Sequence, residues 1–244
     1  MKLIFLGIGS AYNTPWRNCN AYFHYGGALV LLDCGESAFA GLMERGLLSN
    51  CQKRIYVLLS HLHADHAGSL PSLCSYCYGR LRQKVRVVYP GREVEAYLRL
   101  AGIAEGEYER LPELGGALPG LWAEAAPTEH IPRYPSYGYL VGDGEQTIYF
   151  SGDSSGFPPG VLQKLLRGDI AMAYQDVEWN EREKADACHL QYQRLLRLVP
   201  EERRGRVCCM HLNCDYRAVA LRDGFRVADA GGLGPLDEKK TAIP

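Results

Sequence analysis

A chain of 244 residues with 47% hydrophobic and 23% charged side chains has the make-up of a globular protein able to bury a core without covalent staples. With 27 basic against 28 acidic residues, net charge -1, it lacks the broad basic surface of a general nucleic-acid binder. No run approaches the roughly 18 apolar residues of a membrane span.

The elements follow in chain order. The apolar run at 3–6 ends in Gly7-Ile8-Gly9-Ser10, is too short for a leader peptide, and reads as a first strand. Runs rich in Val, Ile, Leu and Tyr at 28–32, 55–59, 85–89, 121–126, 139–141, 147–150, 170–174 and 207–210 predict further strands. Helical patterns fall at 37–48, after His66, and at 93–101, 159–167 and 186–199. Gly26-Gly27 and Asp143-Gly144 have turn chemistry, so antiparallel segments join parallel ones in a layered α/β fold with mixed sheets. No linker divides the chain, which predicts one domain over 1–244, a surface loop at 115–120 and a loosely held tail from about 231.

Nine cysteines, an odd number set mostly in apolar runs, point to buried thiols in a reducing, cytoplasmic setting. Cys74 and Cys77 form a CxxC without a second pair at zinc-finger spacing and read as two thiols near one helix face. Arg80, Arg82, Lys84 and Arg86 alternate as on a solvated strand edge, with phosphate contact as the other reading.

The chemistry concentrates in Ser60-His61-Leu62-His63-Ala64-Asp65-His66. Imidazoles suit zinc and its borderline neighbours, and the carboxylate adds a hard oxygen, so the cluster can serve one ion or two. A regular helix would spread these side chains around its circumference, whereas a turn leaving a strand can fold them inward. His130, Asp153 and His211 also lie just beyond apolar runs, so four strands deliver candidate ligands to one edge. Sites of layered α/β proteins form at such carboxyl ends.

On the ordered set Leu32-Asp33-Cys34-Gly35-Glu36, HxHxDH at 61–66, Thr128-Glu129-His130, Ser151-Gly152-Asp153, Cys188-His189-Leu190 and Met210-His211-Leu212, the chain resembles the metallo-β-lactamase superfamily of hydrolases. The resemblance implies a four-layer αββα sandwich with two mixed β-sheets. It implies a first metal on His61, His63 and His130, a second on Asp65, His66 and His211, and Asp153 bridging both. Two divalent ions, zinc or else manganese or iron, would share a hydroxide that acts as nucleophile. Asp65 and His189 are the implied catalytic residues, the latter as the family's extra histidine near the scissile phosphate or leaving oxygen. The other reading of His189 is a helix N-terminal histidine oriented by Asp186. Asp33 matches a buried carboxylate that orients a ligand histidine.

Gly7-Ile8-Gly9-Ser10, Pro15, Arg17-Asn18 and Ser136-Tyr137-Gly138-Tyr139 are closest to the branch of ribonuclease Z and related phosphodiesterases. Only 22 residues separate His130 from Asp153, where bacterial ribonucleases Z carry a tRNA-gripping arm. The implied partner is therefore a small phosphodiester or ester rather than tRNA or a membrane, and the resemblance implies a homodimer. The segment 131–137, rich in Tyr and Pro with Arg133, reads as a substrate wall or as a rigid connector. A thioesterase or lactonase on the same centre is the alternative enzyme, and a non-catalytic metal- or nucleotide-binding protein the alternative class.

Overall fold

Two-residue alternation sorts the apolar side chains of the central strands onto opposite faces. In the computed structural model, which describes residues 1–49, 54–180, 182 and 184–231, the first sheet runs in the order β1 (Ile4–Gly7), β2 (Asn20–Tyr25), β3 (Ala28–Leu32), β4 (Arg54–Leu58), β5 (Val85–Val88) and β6 (Tyr108–Leu111). Ala28, Val30 and Leu32 of β3 and Tyr56 and Leu58 of β4 face the second sheet, in one cluster with Leu140, Tyr149 and Ala173. Leu29, Leu31, Ile55 and Val57 point the other way, into a cluster with the helices α1 (Ala38–Glu44), α3 (Leu70–Gly79) and α4 (Glu93–Leu100). The single-turn α2 (Ala64–Ala67) carries part of the metal motif.

The second sheet comprises β7 (Trp122–Pro127), β8 (Tyr137–Gly142), β9 (Thr147–Phe150), β10 (Met172–Glu178), β12 (Val207–Met210) and β13 (Arg226–Val227), with the short β11 (Leu190–Gln191) beside β10. Its helices are α5 (Pro159–Arg167), α6 (Tyr192–Leu198), α7 (Glu201–Arg204) and α8 (Arg217–Arg222). Val161 and Leu165 of α5 and Leu195 of α6 pack onto it. Each sheet starts with two antiparallel pairings and continues with parallel ones. The result is the expected αββα sandwich with two mixed sheets. Among the described residues no helix is long and apolar enough to cross a membrane.

Several local expectations change. The predicted helix at 186–199 begins only at Tyr192, because Leu190 and Gln191 extend to pair with Val177 and Glu178 of β10. The predicted strand at 170–174 instead runs from Met172 to Glu178. Of the alternating cations only Arg86 lies on a strand, where it pairs with Glu109 at 3.0 Å and covers the Tyr56 ring. Arg80, Arg82 and Lys84 occupy the turn before β5. Cys74 and Cys77 are buried on α3, as a helical pair should be, and the Gly-rich stretch at 115–120 is pinned by buried Leu114 and Leu118. Most of the predicted tail, residues 232–244, lies outside the described residues.

Candidate metal centre

Two glycines allow the loops that carry the site to close on one another. A Cβ at Gly35, after β3, would stand 1.8 Å from the Asp65 carbonyl oxygen, and one at Gly152, after β9, 2.5 Å from the Ser60 Cβ. Gly152 also has φ 56°, a backbone that side chains disfavour. Backbone therefore meets the 60–66 turn where any larger residue would push it away.

The turn follows β4, and α2 then swings Asp65 and His66 inward. His130 follows β7, Asp153 follows β9, and His211 follows β12 with φ 60°. All seven expected ligands converge. His63 Nδ1 lies 2.9 Å from His61 Nε2 and 3.4 Å from His130 Nε2, and Asp153 Oδ2 approaches those two Nε2 atoms at 3.8 and 3.6 Å. Asp65 Oδ2 lies 3.2 Å from both His66 Nε2 and His211 Nε2, while Asp153 Oδ1 approaches them at 3.0 and 3.4 Å. One carboxylate thus turns one oxygen to each group.

These donor sets fit divalent ions. Tetrahedral ligands about 2.0 to 2.1 Å from zinc stand about 3.3 Å apart, which matches the spacing within each group. His66 Nε2 and Asp153 Oδ1 are buried and have no hydrogen-bond partner among the described residues, an expensive arrangement unless a ligand joins them.

The outer ring nitrogens are fixed in turn. His66 Nδ1 donates to Asp33 Oδ2 at 2.8 Å, and Asp33 also accepts from the Ser60 N–H and hydroxyl at 2.7 and 2.8 Å. The Ser60 oxygen then accepts from His61 Nδ1 at 3.0 Å, and His130 Nδ1 donates to the Cys188 carbonyl at 3.0 Å. Such bonds select the tautomer whose inner nitrogen is a free electron pair. His63 is the exception: it turns Nδ1 inward and stacks on Tyr134, centroids 4.7 Å apart.

Asp176 escaped the sequence reading. Fully buried on β10, it accepts from His189 Nδ1 at 2.6 Å and from His211 Nδ1 at 3.2 Å, and also from the Ser154 N–H. It, and not Asp186, orients His189. The available signal was the polar stretch Gln175-Asp176 inside an apolar run.

Burial pushes the His61 imidazole below its ordinary range. Burial alone would do the same to His66, His211 and His189, but neighbouring carboxylates outweigh it and raise all three, His211 to about 10. Burial would raise Asp65 and Asp153, yet the flanking histidines hold both well below the usual carboxylate range. The His211 proton therefore stabilises chelator-treated protein fully below pH 6.5 and progressively less as pH rises through about 10. A bound cation would replace that proton. The melting temperature of stripped protein should fall between pH 6.5 and 10 while that of metal-loaded protein stays flat. Superimposable calorimetric profiles would contradict metal binding here.

The cluster floors a cavity of about 650 Å³ lined by His63, Asp65, His130, Asp153, His189 and His211. An αββα sandwich with clustered imidazoles and carboxylates at its sheet edge is suited to hold divalent metal ions. The model of the beta-lactamase superfamily domain matches residues 29–212, and the chain belongs to that superfamily. It is 27% identical over 225 residues to the anti-Pycsar protein Apyc1 of Paenibacillus harenae, covering 86% of this chain and 89% of the relative. Identity to ribonuclease BN of Escherichia coli O7:K1 is 30% over 192 residues, 72% of this chain and 62% of that protein. The metallo-beta-lactamase fold protein YhfI of Bacillus subtilis superposes with TM-score 0.76 at 15% identity, covering 94% and 96% of the two chains.

Proposed function

We propose that the protein is a dinuclear metal-dependent phosphodiesterase acting on a small diester. The observation that carries this reading is the Asp176–His189 pair, which sets an imidazole in the cavity, its Nδ1 only 3.9 Å from Asp153 Oδ2. His61, His63 and His130 would hold one ion, Asp65, His66 and His211 the other, with Asp153 shared. Two zinc ions, or manganese or iron, would supply Lewis acidity there and an activated water at neutral pH.

The chain's own residues do the rest. Asp65 and Asp153 hold negative charge between the two imidazole groups, so the floor of the cavity is suited to cations that would offset the charge of an anionic diester. His189 has Nδ1 committed to Asp176, which leaves Nε2 to protonate the departing oxygen, and its raised proton affinity suits an acid. A small substrate is supported by the path from His130 to Asp153, which is spent on a short loop, β8 and β9 with no projecting arm. The similarity to a ribonuclease supports phosphodiester chemistry.

Metal-loaded protein should hydrolyse bis(p-nitrophenyl) phosphate in preference to thioester and lactone panels. Turnover of lactone or thioester without diester hydrolysis would replace this reading with the alternative enzyme, and no turnover at all with the non-catalytic one. His189→Ala should slow diesters with alkoxide leaving groups about 10²- to 10⁴-fold and p-nitrophenyl diesters far less, since p-nitrophenolate departs without a proton. Equal losses on both would remove His189 from the acid role.

A further inference from the structure

The cavity has a second polar wall that the metal cluster does not use. Side chains alternate along β10, so Asp176 and Glu178 share the face turned towards the site, and Glu178, with Asn180 beyond the strand, lines the cavity. Val177 and Trp179 take the opposite side: Val177 is fully buried, and the Trp179 ring stacks on Tyr216 and packs against Tyr192. Asn213 pins this segment, accepting from the Trp179 N–H at 2.9 Å and donating to its carbonyl at 2.8 Å. Glu178 and Asn180 are therefore held in place through a residue whose own side chain is locked in an aromatic stack.

Neither side chain has a partner that explains it. The Glu178 carboxylate makes no ion pair or hydrogen bond among the described residues, and Asn180 Nδ2 is buried without a hydrogen-bond partner among them. Two thiols that line the cavity, Cys188 and Cys214, are raised first by burial, then by the charges of Asp176 and Asp215 respectively, and further by that of Glu178, which places the Glu178 charge near them. A carboxylate only accepts hydrogen bonds, while the amide nitrogen only donates. A group that met both would be a neutral one offering N–H or O–H donors near an acceptor.

We propose that Glu178 and Asn180 are the specificity-determining residues of this site, gripping a neutral donor-and-acceptor group on the half of the diester that stays when the leaving group departs. The assignment rests on the phosphodiesterase reading. A nucleobase edge and a sugar hydroxyl share this chemistry. Tyr12, 85% exposed at the cavity rim, is available to stack on a base.

The test compares kcat/KM on three diesters that share the p-nitrophenyl leaving group: bis(p-nitrophenyl) phosphate, thymidine 5′-(p-nitrophenyl phosphate), and the base-free deoxyribose analogue of the latter. The selectivity ratio of the thymidine ester over bis(p-nitrophenyl) phosphate should fall about tenfold in Glu178→Ala and severalfold in Asn180→Ala. If the base-free ester shows the same fall the sugar is gripped, and if it shows none the base is. Ratios unchanged in both variants, or rates that fall equally on all three esters, would overturn the assignment. Isosteric Glu178→Gln keeps the test available should the alanine variant melt early. Wild-type protein inert on every diester would instead sink the phosphodiesterase reading, and this inference with it.

Discussion

Asp153→Ala is expected to cost about a thousandfold or more in diester hydrolysis, since several kcal/mol of metal-derived stabilisation disappear and each factor of ten is about 1.4 kcal/mol. Its Oδ2 faces His61 and His130 while its Oδ1 faces His66 and His211, so one truncation strips an oxygen from both groups. The imidazoles that remain would crowd one another without a shared anion. Elemental analysis should then find less than one ion per chain in a variant whose circular dichroism is native. Two ions retained in Asp153→Ala would refute the shared-ligand reading, even if activity were lost.

Asp176→Ala is the second large effect, and it acts at one remove. One buried carboxylate holds the outer nitrogens of His189 and His211, so its removal frees both rings and leaves the Ser154 N–H without its acceptor. Outer partners of this kind are worth about 10- to 100-fold in metal affinity or activity. Because two histidines depend on it, Asp176→Ala should reach the upper end in both measurements, read as kcat and as metal affinity in chelator competition. Asp176→Asn offers one acceptor oxygen in place of two and should fall between. Loss of activity with unchanged metal affinity would show that only the His189 arm matters.

The candidate ligands that converge were legible in the sequence because metal chemistry compresses such residues into short, ordered motifs, and Asp33 was legible for the same reason. Asp176 was not, since the strand expected at 170–174 stopped short of it and a single polar residue near a strand end resembles a turn. Only pairing with β11 and β12 extends β10 to Glu178 and turns Asp176, Glu178 and Asn180 to one side. Nor was β11 readable: two residues carry no periodicity, and its strand state comes entirely from its neighbour. β2 was hidden because Asn20 and His24 break its apolar run, although it sits between β1 and β3. The cations at 80–86 misled in the opposite direction, since alternation without burial does not make a strand.

The candidate ligands are divided unequally between the two sheets. The first supplies His61, His63, Asp65 and His66 from a single turn after β4, and the second supplies His130, Asp153 and His211 after β7, β9 and β12. Neither half owns a complete set for either group. Ions seated there would rivet the two sheets along their shared rim, and scavenging the metal would loosen the seam between the halves rather than merely silence a site.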